Sequence, residues 1–176
     1  MTEYRRTHIE GATYFFTVNS AKRHGNDILT KNIDVLRKSF RKVKDNHPFS
    51  IDAIVILPDH LHCIWTLPPG DADYKTRWAL IKAGFSRAIP AGERRSVSRV
   101  KRGERGIWQR RYWEHLIRDD LDFERHIDYI HRNPVKHLWV DRVRDWPYSS
   151  FHVYVRRGVY PADWACGTDG EIDGGE

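Results

Sequence analysis

The chain has 176 residues, 40% of them hydrophobic and 31% charged, enough for one domain with a proper core and too few for two, which excludes a disordered chain. Two cysteines, Cys63 and Cys166, exclude a disulfide framework and suit a reducing compartment. No apolar run approaches the ~18 residues that span a bilayer, and the polar start has no apolar leader core, so a cytoplasmic protein is expected.

Thr13 to Val18 is aromatic and β-branched and reads as a first strand. From Thr30, a plausible N-cap, to about Asn46, the residues Ile33, Leu36, Phe40 and Val43 recur at helical spacing. Ile51 to Leu57 and His60 to Leu67 are apolar runs split by Pro58-Asp59, which predicts a hairpin. Tyr74 to Ile89 reads as a second helix stopped by Pro90. Tyr112 to Arg118 alternates weakly and is expected as a fourth strand; Asp119 or Asp120 caps a third helix that runs to Asn133 and ends at Pro134. The order is β-α-β-β-α-β followed by a helix and a tail. It predicts an α+β, ferredoxin-like split βαβ fold, with an antiparallel sheet and helices on one face. The tail from 139 to 176 ends in a Gly-rich, acidic stretch expected to be disordered.

The net charge of +6 is unevenly spread. Between Arg94 and Arg111 lie eight basic residues and one acidic one, with Trp108, Tyr112 and Trp113 within or just after the run. Cations for phosphates and rings for unstacked bases suit single-stranded nucleic acid; a solvated loop gives the same composition. His60 and His62 are two apart, so in a strand both project from one face and can converge on an ion. In the last helix Phe123, Ile127 and Ile130 form the core stripe. Tyr129 lies off it, with Asn133 one turn further along the same flank. The pair can bring a hydroxyl to a substrate and an amide oxygen to the ion. It equally suits a tyrosine packed at the helix edge and an asparagine cap.

Several long motifs then coincide: Leu57-Pro58-Asp59-His60-Leu61-His62-Cys63-Ile64-Trp65, Trp108-Gln109-Arg110-Arg111-Tyr112-Trp113-Glu114-His115, His126 through His137 with its Asn133-Pro134, and Asp145-Trp146-Pro147-Tyr148. With these the chain resembles the REP-associated tyrosine transposases, a bacterial branch of the single-tyrosine HUH transposases. The resemblance implies Mg²⁺ or Mn²⁺ held by His60, His62 and, in place of a frequent glutamine, Asn133. It implies Tyr129 as the nucleophile that forms a 5′-phosphotyrosine, and single-stranded hairpins of repetitive extragenic palindromes as substrate. Candidate DNA contacts are Arg5, Arg6, Arg94, Arg95, Arg99, Lys101, Arg102, Arg105, Trp108, Arg110 and Arg111. The catalytic domain is expected over 1–138, in a monomer with its site in cis or a homodimer. Two other classes use the same residues. One is a DNA-binding regulator without catalysis; the other is a metal-dependent phosphoesterase using water, with His115 or His126 as a further ligand. Tyr112 and Tyr148 are the alternative nucleophiles.

Overall fold

A computed structural model describes residues 8–23 and 25–165. The sheet is built from β1 (Thr13–Asn19), β2 (Ser50–Ile56), β3 (His60–Thr66) and β4 (Trp113–Leu116), in the order β2-β3-β1-β4 with every neighbouring pair antiparallel. This is the split βαβ arrangement that the element order predicts. The helices are α1 (Ile28–Lys31), α2 (Ile33–Asn46), α3 (Tyr74–Ala88), α4 (Val97–Lys101), α5 (Asp120–Lys136) and α6 (Phe151–Arg156).

Strand alternation sorts the side chains into two cores, because successive residues face opposite sides of a sheet. Tyr14, Phe16 and Val18 of β1 and Leu61, Cys63 and Trp65 of β3 join Leu36 and Phe40 of α2 and Trp78, Ile81 and Phe85 of α3. Here the Trp65 and Trp78 rings stack 4.2 Å apart. The opposite face carries Phe15, Ala53, Val55 and Ile64 beneath Ile127 and Ile130 of α5. His60 and His62, out of phase with Leu61 and Cys63, therefore fall on the α5 side.

The tail closes this second layer. As an edge strand, β2 would leave a row of backbone groups unpaired. Residues 148–150 run along it instead: the Ile56 N–H donates to Tyr148 O at 2.9 Å and the Ser150 N–H to Ile54 O at 2.8 Å. The Trp146 indole N–H donates to Ile56 O at 3.0 Å. Beyond, Phe151, Tyr154, Tyr160 and Trp164 surround the ring of His131 on α5, and the Tyr160 hydroxyl donates to Asp128 at 2.6 Å. The tail thus clamps α5 onto its own sheet.

Four local expectations change. The helix expected from Thr30 starts at Ile33, because Thr30 belongs to the separate turn α1, where its hydroxyl donates to Asp27 O. β4 is confined to Trp113–Leu116. The basic run contains a helical turn, α4. Pro134 does not end α5, which continues to Lys136. One missing N–H near the end of a helix is tolerated when the last carbonyls find other donors. Here the His137 N–H donates to Asn133 O and the Trp139 N–H to Pro134 O, both at 3.0 Å. Arg5, Arg6, Cys166 and the acidic terminus lie outside the described residues.

Fully buried His131 makes stability depend on pH. Burial, then the charge of His152, holds its pKa down to about 4, against about 6.5 in an unfolded chain. The unfolded chain therefore binds the extra proton between these values, so this contribution is complete above pH 6.5 and lost as pH falls toward 4. The gap is worth about 3 kcal/mol. The urea midpoint is expected to fall between pH 7 and 5, and His131→Gln, which keeps a donor for Ser150, is expected to flatten that slope. An equal slope in the variant contradicts the assignment.

Candidate active site

His60 opens β3 directly after the tight turn Leu57–His60, in which the Leu57 N–H donates to His60 O at 2.8 Å. His60 and His62 are each 3% exposed, with ring centroids 5.0 Å apart. Each ring is oriented through Nδ1. His60 Nδ1 lies 2.7 Å from Asp59 Oδ1, and His62 Nδ1 lies 2.8 Å from Thr17 Oγ1 on β1. Such partners fix the ring and leave Nε2 for an ion. His62 Nε2 is buried with no hydrogen-bond partner among the described residues. Burial first, then the charges of His60, His137 and Lys136, hold the His62 pKa well below the usual imidazole range, so the ring is a neutral donor. Burial opposes ionisation of Asp59, but the hydrogen bond with His60 and the charges of His60 and Arg23 prevail and lower its pKa.

Helix α5 brings the remaining groups. The Tyr129 ring lies 5.1 Å from the His62 ring and the Lys136 ammonium 5.1 Å from the Tyr129 ring. Asn133 is 0% exposed, and neither atom of its carboxamide has a hydrogen-bond partner among the described residues. A buried amide left unpaired costs about 1–3 kcal/mol. Such a cost, beside two imidazoles oriented through Nδ1, fits a divalent cation taken by His60 Nε2, His62 Nε2 and the Asn133 amide oxygen.

The structure adds His137, whose ring lies 5.1 Å from that of His60. Tyr129, Asn133 and His137 recur every four residues and form one stripe of α5. Stopping the helix at Pro134 hides His137 from the sequence. An open cleft of about 1190 Å³ leads in beside His60 and His137, with Arg23, Lys31, Trp139 and Tyr148 on its walls.

The alternative tyrosines separate clearly. Tyr112 packs on the far face of the sheet against Phe16, Tyr74 and Trp78. Tyr148 lines the cleft from the tail. His115 and His126 group with Asp122, and the ring of Phe15 stands between His126 and His62, at 4.7 and 5.7 Å.

The basic segment returns to the histidine end of the sheet. The Ala21 N–H donates to Ile107 O and the Gln109 N–H to Asn19 O, beside the Asn19–His60 pair. Its cations serve different ends. Arg105 pairs with Glu93 and donates to the carbonyls of Ser86, Ile89 and Pro90, closing the loop from inside. Arg99 donates to Trp108 O, Arg110 pairs with Glu104, and Trp108 is buried against Phe85. Arg94, Arg95, Lys101, Arg102 and Arg111 are exposed.

No family model matches the chain. It is 50% identical over 165 residues to the REP-associated tyrosine transposase of Escherichia coli K12, covering 94% of this chain and 92% of that protein. A Haemophilus influenzae protein named as a candidate of the same kind is 46% identical over 175 residues, covering 99% of each. A solved structure described as a REP-associated tyrosine transposase bound to a REP hairpin superposes with a TM-score of 0.85 at 48% identity, over 100% of this chain and 98% of that one.

Proposed function

The chain belongs to the REP-associated tyrosine transposases, and we propose that it cleaves and rejoins single-stranded DNA folded into REP-type hairpins through a 5′-phosphotyrosine on Tyr129. The observation that carries this reading is the convergence of the Tyr129 ring on His62, beside a buried His62 Nε2 and Asn133 amide that have no hydrogen-bond partner among the described residues. His60, His62 and Asn133 would hold Mg²⁺ or Mn²⁺, which supplies positive charge to a non-bridging phosphate oxygen.

The chain's own residues account for the rest. A phenol has a pKa near 10 and is a weak nucleophile at neutral pH. The Lys136 ammonium, 5.1 Å from its ring, sets a positive charge beside the tyrosine that attacks the phosphate. Tyr129 Oη attacks phosphorus and the P–O3′ bond breaks; the phenolic proton is lost and the departing 3′-oxygen takes one up. The phosphotyrosine keeps the bond energy of a phosphodiester, so a 3′-OH of another strand can attack it and release Tyr129. Rejoining then needs no ATP. Residues 1–138 form the catalytic domain, and the segment from 139 to 165 holds α5 in place, consistent with a site completed in cis.

The test is incubation of labelled single-stranded hairpins with the protein and Mg²⁺. A fragment ending in a free 3′-OH and a fragment joined to the protein through its 5′-phosphate are expected. Cleavage that leaves two free fragments instead points to activated water.

Asp59→Ala or Thr17→Val removes a ring-orienting partner and keeps the ligands, so cleavage is expected to fall about 10–100-fold, with a higher Mg²⁺ requirement. An unchanged Mg²⁺ dependence contradicts the orienting role. Reversing Arg94, Arg95, Lys101 and Arg102 to Glu is expected to weaken hairpin binding regardless of sequence, and to reduce the slope of log affinity against log salt by about 0.7 for each phosphate no longer neutralised. Arg105→Ala is expected to lower the melting temperature, since its partners lie within the loop. Intact binding and slope in the multiple variant make the segment a bystander.

A further inference from the structure

We infer that His115, Asp122 and His126 form a second divalent-metal site, separate from the His60–His62 centre, that takes a transition ion of the Zn²⁺ class and pins the start of α5 to β4. One ligand atom from each of the three lies within 4.8 Å of the others. His115 Nε2 is 2.8 Å from Asp122 Oδ2, and His126 Nδ1 is 3.1 Å from Asp122 Oδ1. Zinc bonds of about 2.0–2.2 Å at tetrahedral angles set ligand atoms roughly 3.3–3.6 Å apart, so side-chain shifts of about 1 Å close the trio around an ion.

The residues come from two elements, as a clamp requires. His115 is on β4, while Asp122 and His126 occupy the first and second turns of α5. Their rings are already ordered: Trp113 stacks on His115 at 5.7 Å and 9°, and His115 on His126 at 4.7 Å and 19°. Aromatic packing of this kind fixes ligand rings before the ion arrives. The three side chains are 19–20% exposed, which leaves water to complete the shell. Two imidazoles with one carboxylate are a common donor set for Zn²⁺. Asp122 Oδ2 also accepts from the Arg118 N–H, which ties the carboxylate to the chain just before α5 and leaves its other oxygen for the ion. Binding replaces the His115–Asp122 hydrogen bond, while His126 Nδ1, 2.8 Å from the Asp122 carbonyl oxygen, either keeps that bond and offers Nε2 to the ion or gives it up; each imidazole keeps its remaining proton on the nitrogen that does not take the ion.

The site is tested by calorimetric titration of the full chain with Zn²⁺ in excess Mg²⁺. The His60→Ala/His62→Ala variant is expected to keep one equivalent of Zn²⁺, and adding His115→Ala/His126→Ala is expected to abolish it. Asp122→Asn, which preserves an acceptor for Arg118, is expected to weaken that equivalent about tenfold or more. Adding Zn²⁺ to the unmodified chain is expected to shift the imidazole NMR signals of His115 and His126, a reading that needs no variant. Loss of all Zn²⁺ binding with His60 and His62, or unmoved His115 and His126 signals, overturns the proposal.

Discussion

Replacing Tyr129 by Phe is expected to lower strand cleavage by on the order of 10⁴-fold or more and to remove the covalent protein–DNA product, while the fold and hairpin binding persist. The substitution deletes one oxygen and keeps the ring that packs edge-on against Phe15 and His62. Among the described residues no other tyrosine has the same setting. Tyr112→Phe is expected to leave the adduct intact, because its ring is on the α2–α3 face of the sheet. Tyr148→Phe tests a cleft wall and is expected to preserve adduct formation. Gel assays with labelled hairpin and Mg²⁺ compare the three; an adduct surviving only the change at 129 relocates the nucleophile.

His60→Ala and His62→Ala are each expected to lower cleavage by about 10²–10³-fold, the scale on which a fixed group that stabilises transition-state charge contributes. Hairpin binding is expected to survive both, since it rests mainly on phosphate contacts away from the ion. Asn133→Ala is expected to cost less than either, because water can replace an amide ligand. It also removes two buried polar atoms that have no partner among the described residues. A loss confined to the histidine variants, with circular dichroism unchanged, separates metal binding from folding. Unchanged cleavage in either histidine variant defeats the assignment.

The element order was legible because strand alternation and helical periodicity are local. The same alternation put His60 and His62 on one face, and the turn at Pro58-Asp59 fixed where that face begins. The four-residue spacing of Tyr129 and Asn133 was equally readable. What escaped depended on neighbours distant in sequence. Pro134 reads as a stop until the chain beyond it returns donors to the last carbonyls of α5, and only then do Lys136 and His137 reach the site. Arg105 looks like its basic neighbours in composition. Its commitment to Glu93 and three carbonyls follows from how the loop folds back on the end of α3. The pairing of residues 148–150 with β2 had no local signal either, since Pro147 marks a loop and nothing in the run specifies the strand it joins.

The central claim is that Tyr129 carries the DNA. Its most direct test is mass spectrometry of the covalent product after nuclease and protease digestion. A nucleotide linked through a 5′-phosphate is expected on the peptide that contains Tyr129 and on no other. A nucleotide on the peptide of Tyr112 or Tyr148, or cleavage with no modified peptide, contradicts the account.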